Sequence, residues 1–169
     1  MKIEIREWRL SDAAKLAELL NNKKILDNLR DGLPYPYTES DARDYISAMQ
    51  TADKNLVFAF AIICDNELAG SVGIFRQSNI HYRTAELGYY VGEKFWNKGV
   101  ATEAVKLASQ EAFATDIIRI YAEPFARNTA SCRVLEKSGF VCEGVLRANA
   151  VKNGVIEDMK MYSLIKVQL

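Results

Sequence analysis

The sequence holds one histidine, three cysteines and three prolines in 169 residues, and its charges of the two signs are balanced. Each scarcity closes off a class of function. With His81 alone, a multi-histidine metal centre is excluded, and no metal is expected. Cys64, Cys132 and Cys142 are odd in number and lack metal-ligand spacing, which points to reduced thiols in a cytoplasmic protein. The 22 basic and 22 acidic residues cancel, so no overall field recruits nucleic acid or an anionic membrane. The basic residues are dispersed, with no stripe interleaved with aromatics. Any acidic ligand must therefore be held by a local site. The longest apolar run, Leu56 to Cys64, is too short to cross a bilayer. Met1-Lys2-Ile3-Glu4 opens a polar-alternating strand, not the apolar core of a signal peptide. The expectation is one domain, 1–169, with monomer and homodimer both open.

What is present suits that size. Apolar residues make up 49% and charged residues 26%, a soluble globular balance with enough chain for one core. Ile3 and Ile5 alternate with charge as a first strand, and Ser11 is the expected cap of a helix with Ala14, Leu16, Ala17, Leu19 and Leu20 on its apolar face. Asp31 to Thr38, with Pro34 and Pro36, must be a loop. Thr38-x-x-Asp41 is a capping signal for a helix presenting Ala42, Tyr45, Ile46 and Met49. Val57 to Cys64 and Leu68 to Arg76 read as a hairpin turned at Asp65-Asn66, followed by a strand from His81 to Val91. Ile117 to Ala122 is a short strand ending before Pro124. A helix capped by Asn128 or Thr129 stops before Gly139. Phe140 to Ala148 and Val155 to Lys166 form a last hairpin around Asn153-Gly154. Strands interleaved with helices, without repeats or linkers, give an α+β or mixed α/β sheet.

The stretch from Glu86 to Ala104 organises the chain. It runs from a strand through a turn holding Gly92, Asn97, Lys98 and Gly99 into a helix with Ala101, Ala104, Val105, Ala108 and Ala112 on one small-residue face. Free N–H groups and the positive end of the helix dipole make such a turn an anion site. Lys98 adds a charge and Thr102 a hydroxyl. A phosphate-bearing cofactor fits here, although many such turns bind nothing. The turn is neither a P-loop nor a dinucleotide fingerprint, because the glycine spacings of both are missing.

Trp96-Asn97-Lys98-Gly99-Val100-Ala101-Thr102-Glu103-Ala104 resembles the acetyl-CoA pyrophosphate loop of the GNAT N-acetyltransferases, in the branch of the ribosomal-protein N-terminal acetyltransferases. Gly99 and Ala101 match the loop pattern Gln/Arg-x-x-Gly-x-Gly/Ala, with Trp96 in place of Gln or Arg. Asn128-Thr129-Ala130-Ser131, then Val134 to Phe140, then Glu143-Gly144 are similar to a second motif of that family in the right order. The resemblance covers nearly the whole chain. It implies a mostly antiparallel, splayed sheet of about seven strands flanked by about four helices. It also implies acetyl-CoA held by Tyr90, Val91, Trp96, Asn97, Lys98, Gly99, Val100, Ala101, Thr102, Asn128 and Ser131, with the strand of Tyr89 to Val91 splayed from Ile117 to Ala122.

Transfer to an amine needs a base, because only the neutral amine attacks, and an acid for the leaving thiolate. Glu86 is the candidate base, on a strand where partial burial favours proton uptake; its other reading is a plain salt-bridge partner. Ser131 is the candidate acid, and Asn128 the pantetheine contact. Each is equally a feature of a helix start. Tyr121 is a further possible acid or a core residue. Cys132 admits a covalent route, less favoured than direct transfer in a ternary complex. Asp31, Tyr35, Tyr37 and Glu86, with Glu157 or Asp158, could present an acidic and aromatic mouth to a cationic amine, unless the two tyrosines simply plug the core. The expected function is acetyl-CoA-dependent N-acetylation of a primary amine, either a protein N-terminus or a small molecule. A non-catalytic acyl-CoA-binding regulatory module and a nucleotide-binding module are the alternatives.

Overall fold

Asp65 and Asn66 take φ values of 47° and 68°, the left-handed pair a two-residue turn requires. They fold β2 (Val57–Cys64) back on β3 (Glu67–Arg76). The computed structural model describes residues 1–167. The other strands are β1 (Ile3–Arg6), β4 (Thr84–Val91), β5 (Arg119–Ala122), β6 (Val141–Lys152) and β7 (Val155–Ile165). They form one seven-stranded sheet in the order β1-β2-β3-β4-β5-β7-β6. Every pairing is antiparallel except that of β4 with β5. The expected mixed α/β sheet is therefore present.

Among the described residues five helices flank it: α1 (Ala13–Leu20), α2 (Lys23–Leu26), α3 (Glu39–Thr51), α4 (Val100–Phe113) and α5 (Thr129–Lys137). Ala104, Ala108 and Ala112 carry no exposed surface, and their small side chains let α4 lie close against the sheet. This layer also buries Ile74, Leu87 and Ile120. On the opposite face, α1 and α3 bury Leu16, Leu20 and Ile46 against Ala61, Ile63 and Leu68. Two apolar layers on one sheet fix its position; the site forms where the sheet is incomplete.

Several expected boundaries shift. Ser11 is exposed and caps nothing. A 3₁₀ turn (Leu10–Asp12) precedes α1, and Asp12 supplies the bond by accepting from the Arg9 N–H at 3.0 Å. The two asparagines before α2 conceal a one-turn helix, with Asn22 as its cap. His81 ends a 3₁₀ turn (Asn79–His81) instead of starting β4. β6 continues past Ala148, whose φ of 50° marks a bulge that breaks the alternation read from the sequence. Thr38 and Asp41 do form the expected reciprocal cap of α3.

The strands β4 and β5 pair at only three positions, Thr84↔Arg119, Ala85↔Ile120 and Glu86↔Tyr121. Beyond Ala122 the chain turns its bonds to β7: the Pro124 carbonyl accepts from Lys160 N–H at 3.0 Å, and Ala126 N–H donates to the Asp158 carbonyl at 2.8 Å. β4 meanwhile continues along β3 to Val91. The two strands therefore part after Glu86, which is the splay the family resemblance implied.

Asp12 ties β1 to the start of α1 by accepting two 2.8 Å bonds from Arg6. Burial opposes its charged form, but the guanidinium and the Arg9 N–H outweigh burial and hold the carboxyl below the usual range. A depressed folded pKa adds stability above the unfolded value of about 3.9, and that stability is lost as pH falls through the folded value. Asp12→Asn is expected to lower unfolding free energy by about 2 kcal/mol at pH 7. Urea titrations should show the gap from wild type closing as the pH drops below about 4.

Candidate active site

Trp96, Asn97 and Gly99 shape the entrance to α4. Asn97 and Gly99 take φ values of 60° and 78°, so the backbone curls before the helix begins at Val100. The Gly99 carbonyl already accepts the helical bond from Glu103 N–H at 3.1 Å. The N–H groups of Val100, Ala101 and Thr102 therefore lie in a first turn that has no intrahelical acceptor for them. A side chain built on Gly99 would meet nothing within 4 Å, so the turn opens onto empty space. Trp96 closes it from below: its indole N–H donates to the Val91 carbonyl at 2.7 Å. That bond fixes the tryptophan that stands where the loop pattern has glutamine or arginine.

From this turn a cleft of about 1060 Å³ runs through the sheet at the parting of β4 and β5. Gly92 N–H pairs with the Ala69 carbonyl at 2.8 Å. Antiparallel alternation then points the Tyr89 groups and the Val91 N–H away from β3, toward the space β5 has vacated. Asn97, Gly99, Val100, Ala101, Thr102, Trp96, Tyr90 and Val91 all border the cleft. Lys98 is exposed and stands outside it. On the α5 side it is bordered by two cations, Arg133 and Lys137, one turn apart on that helix.

On the α5 side, Asn128 caps the helix by accepting from Ser131 N–H at 3.2 Å, and it borders the cleft as well. Ser131 Oγ lies 2.7 Å from the Tyr89 hydroxyl, which also reaches the Ser131 carbonyl at 3.2 Å. Burial pushes the Tyr89 phenol well up, so it keeps its proton. Cys132, the next residue, is buried in the core beside Tyr162.

On the opposite side of the sheet, Glu86 is half-buried and engaged. Arg30 Nη2 lies 2.6 Å from its Oε1, and the Tyr121 hydroxyl donates to its Oε2 at 3.4 Å. Burial, with the carboxylates of Glu86 and Glu123 nearby, pushes the Tyr121 phenol up to about 12. Glu123, just past β5, lies 3.6 Å from Arg30. Ser71 Oγ sits 3.5 Å from the Tyr45 hydroxyl on the adjoining wall.

The expected aromatic mouth does not form. Tyr37 is 4% exposed and packs beside Leu20 and Ile46, its N–H and carbonyl both bound to Asn21. Tyr35 is exposed, with the Lys23 ammonium 5.7 Å over its ring, and it borders a separate shallow depression. Asp31 borders the cleft but pairs with Lys152 at 2.8 Å. Glu157 is bound by Arg127 at 2.8 Å, and Asp158 accepts from the Ala148 N–H at 2.7 Å; both lie outside the cleft lining. The structure adds Tyr89, Arg30, Glu123 and Arg133. Tyr89 could have been found from strand alternation, which sets it opposite Tyr90. Arg30 lies in an aperiodic loop that carries no such signal.

Comparison with known proteins agrees with this geometry. The Acetyltransferase (GNAT) domain family matches residues 2–141. The protein named Probable N-acetyltransferase YjcK of Bacillus subtilis is 35% identical over 133 residues, covering 76% of this chain and 74% of that protein. The solved structure of RimL, a ribosomal-protein alpha-N-acetyltransferase in complex with coenzyme A, superposes with a TM-score of 0.85 at 25% identity, over 98% of this chain and 94% of its own. The microcin self-immunity acetyltransferase MccE, in complex with acetyl-CoA and AMP, gives 0.84 at 26% identity, over 98% and 93%. The chain belongs to the GNAT family and is an N-acetyltransferase.

Proposed function

We propose that the chain moves the acetyl group of acetyl-CoA onto a primary amine while both are bound, at the point where β4 leaves β5. One observation carries this reading: the open first turn of α4 and the uncovered edge of β4 border a single cleft that ends at Glu86. The whole chain, as one acetyltransferase domain, and a cytoplasmic site of action belong to the same proposal.

The residues present fit the cofactor. A diphosphate suits the space before Gly99, where N–H groups and the dipole of a 14-residue helix favour negative charge. Arg133 and Lys137 supply the countercharge that Lys98 does not. Amide groups of a pantetheine arm suit the edge of β4 at Tyr89 and Val91, since unpaired strand groups seek partners. Acetyl-CoA, when bound, supplies the acetyl group activated as a thioester.

The side chains then divide the proton work. Glu86 receives the proton of the incoming ammonium at Oε2, directly or through water, and the Tyr121 hydroxyl orients that oxygen. The Val91 N–H points where negative charge on a carbonyl oxygen would gather. With the Tyr89 hydroxyl donating to Ser131 Oγ, the serine proton is left for a departing thiolate. Direct transfer is favoured because Cys132, the nearest candidate for a covalent route, is 5% exposed.

Free-thiol release from acetyl-CoA over a panel of amines and short peptides tests the reading; binding without thiol release on any acceptor would favour a non-catalytic module. Gly99→Glu is expected to weaken CoA binding by about a hundredfold or more, because it sets a carboxylate in the anion site and a side chain on a left-handed backbone. Calorimetry showing unchanged CoA affinity would refute the loop assignment. Glu86→Gln should lower kcat about a hundredfold, the usual worth of a positioned base, with CoA affinity retained. A wild-type rate in that variant removes Glu86 from the chemistry.

A further inference from the structure

Glu86 is the last residue of β4 paired with β5, and Glu123 lies two residues beyond its partner Tyr121. The two carboxylates therefore flank the opening where the strands diverge, and both border the cleft. Their side chains are 29% and 21% exposed, and each faces Arg30. We propose that Arg30 is an internal counter-ion of the acceptor site: its guanidinium occupies the place where the acceptor's ammonium group is received, and the acceptor binds by displacing it. This rests on the acetyltransferase reading above and names what governs access to its second substrate.

Three features point to displacement. The first is that the residues on both sides of Arg30 are anchored, while its own side chain reaches out to the two carboxylates. Arg127 donates to the Asp27 carbonyl at 2.8 Å and to Asn28 Oδ1 at 2.6 Å, and Lys152 holds Asp31 at 2.8 Å. Only the side chain need swing. Second, that side chain is 60% exposed, and an ion pair open to water contributes about 1 kcal/mol or less, weak enough for a ligand to replace. Third, two carboxylates facing one cation leave an excess negative charge, and exchanging guanidinium for ammonium preserves the balance. While Arg30 binds Glu86, the carboxylate is committed to a partner other than the amine it must deprotonate. The same pair of carboxylates repels an acceptor whose amine adjoins a free carboxylate. It selects amines without one, such as a polyamine or the N-terminus of a peptide.

The test is calorimetric titration of spermidine into wild-type protein, Arg30→Ala and Arg30→Lys, each with and without saturating CoA. Arg30→Ala is expected to bind spermidine about fivefold tighter than wild type, the factor one exposed ion pair represents, with Arg30→Lys near wild type. Adding Glu123→Gln to Arg30→Ala should reverse the gain. Equal or weaker binding by Arg30→Ala, or no measurable binding to either form, overturns the proposal. In turnover assays the acceptor KM should fall by the same factor; a fall in kcat with KM unchanged would make Arg30 a positioning residue for Glu86 instead. Loss of CoA binding in the wild type would count against the acetyltransferase reading itself, and the titrations without CoA would still decide the role of Arg30.

Discussion

The parting of β4 from β5 is the constraint on which the rest depends. Two parallel strands share three residue pairs and then separate because the chain after Ala122 takes its backbone partners from β7. Pro124 cannot donate to a ladder, which helps to end the pairing there. β4, held along its other edge by β3, cannot follow. An uncovered strand edge is normally a hazard for association. Here it lies inside a cleft, between the anion turn on one face of the sheet and the carboxylates on the other. On the proposed reading, a single topological gap joins cofactor to acceptor through the sheet.

Charge is arranged along that gap by sign. The α4 end offers positive potential from N–H groups and from Arg133 and Lys137, while the opposite end concentrates Glu86 and Glu123. The whole chain is neutral, so local placement, not net charge, decides what each end attracts. The loop bearing Arg30 is stapled across the acceptor end by Arg127, whose guanidinium also stacks 4.6 Å over Phe125. A structural cation and the proposed exchangeable one therefore meet at this loop: Arg127 donates to Asp27, Asn28 and Glu157, while Arg30 faces Glu86 and Glu123.

Much of this was legible in the residues. The hairpins at Asp65-Asn66 and Asn153-Gly154 follow from turn chemistry, and the strand–turn–helix from Ala85 to Ala112 follows from a change of period at Gly92 to Gly99. Gly99 marked the turn that opens α4. What escaped were matters of direction and partnership. Tyr37 stands in a proline loop where mouth and core were both open; Asn21 binds its backbone and the ring is buried in the core. Lys98 stands in the motif but faces solvent, while Arg133, forty-odd positions from Gly88, arrives only by folding. Glu86 was singled out by position; its pairing with Arg30 crosses 56 residues of chain, and no local pattern encodes such a contact.

The central claim is that amide hydrogens at the start of α4 and along β4 receive the cofactor. Backbone amide NMR of the isotopically labelled protein, recorded before and after addition of CoA, tests it most directly. The account predicts the largest shifts at Val91 and at Gly99 to Thr102, with smaller ones at Asn128 and Ser131. Shifts confined to other segments, with these amides unmoved at saturating CoA, would contradict it.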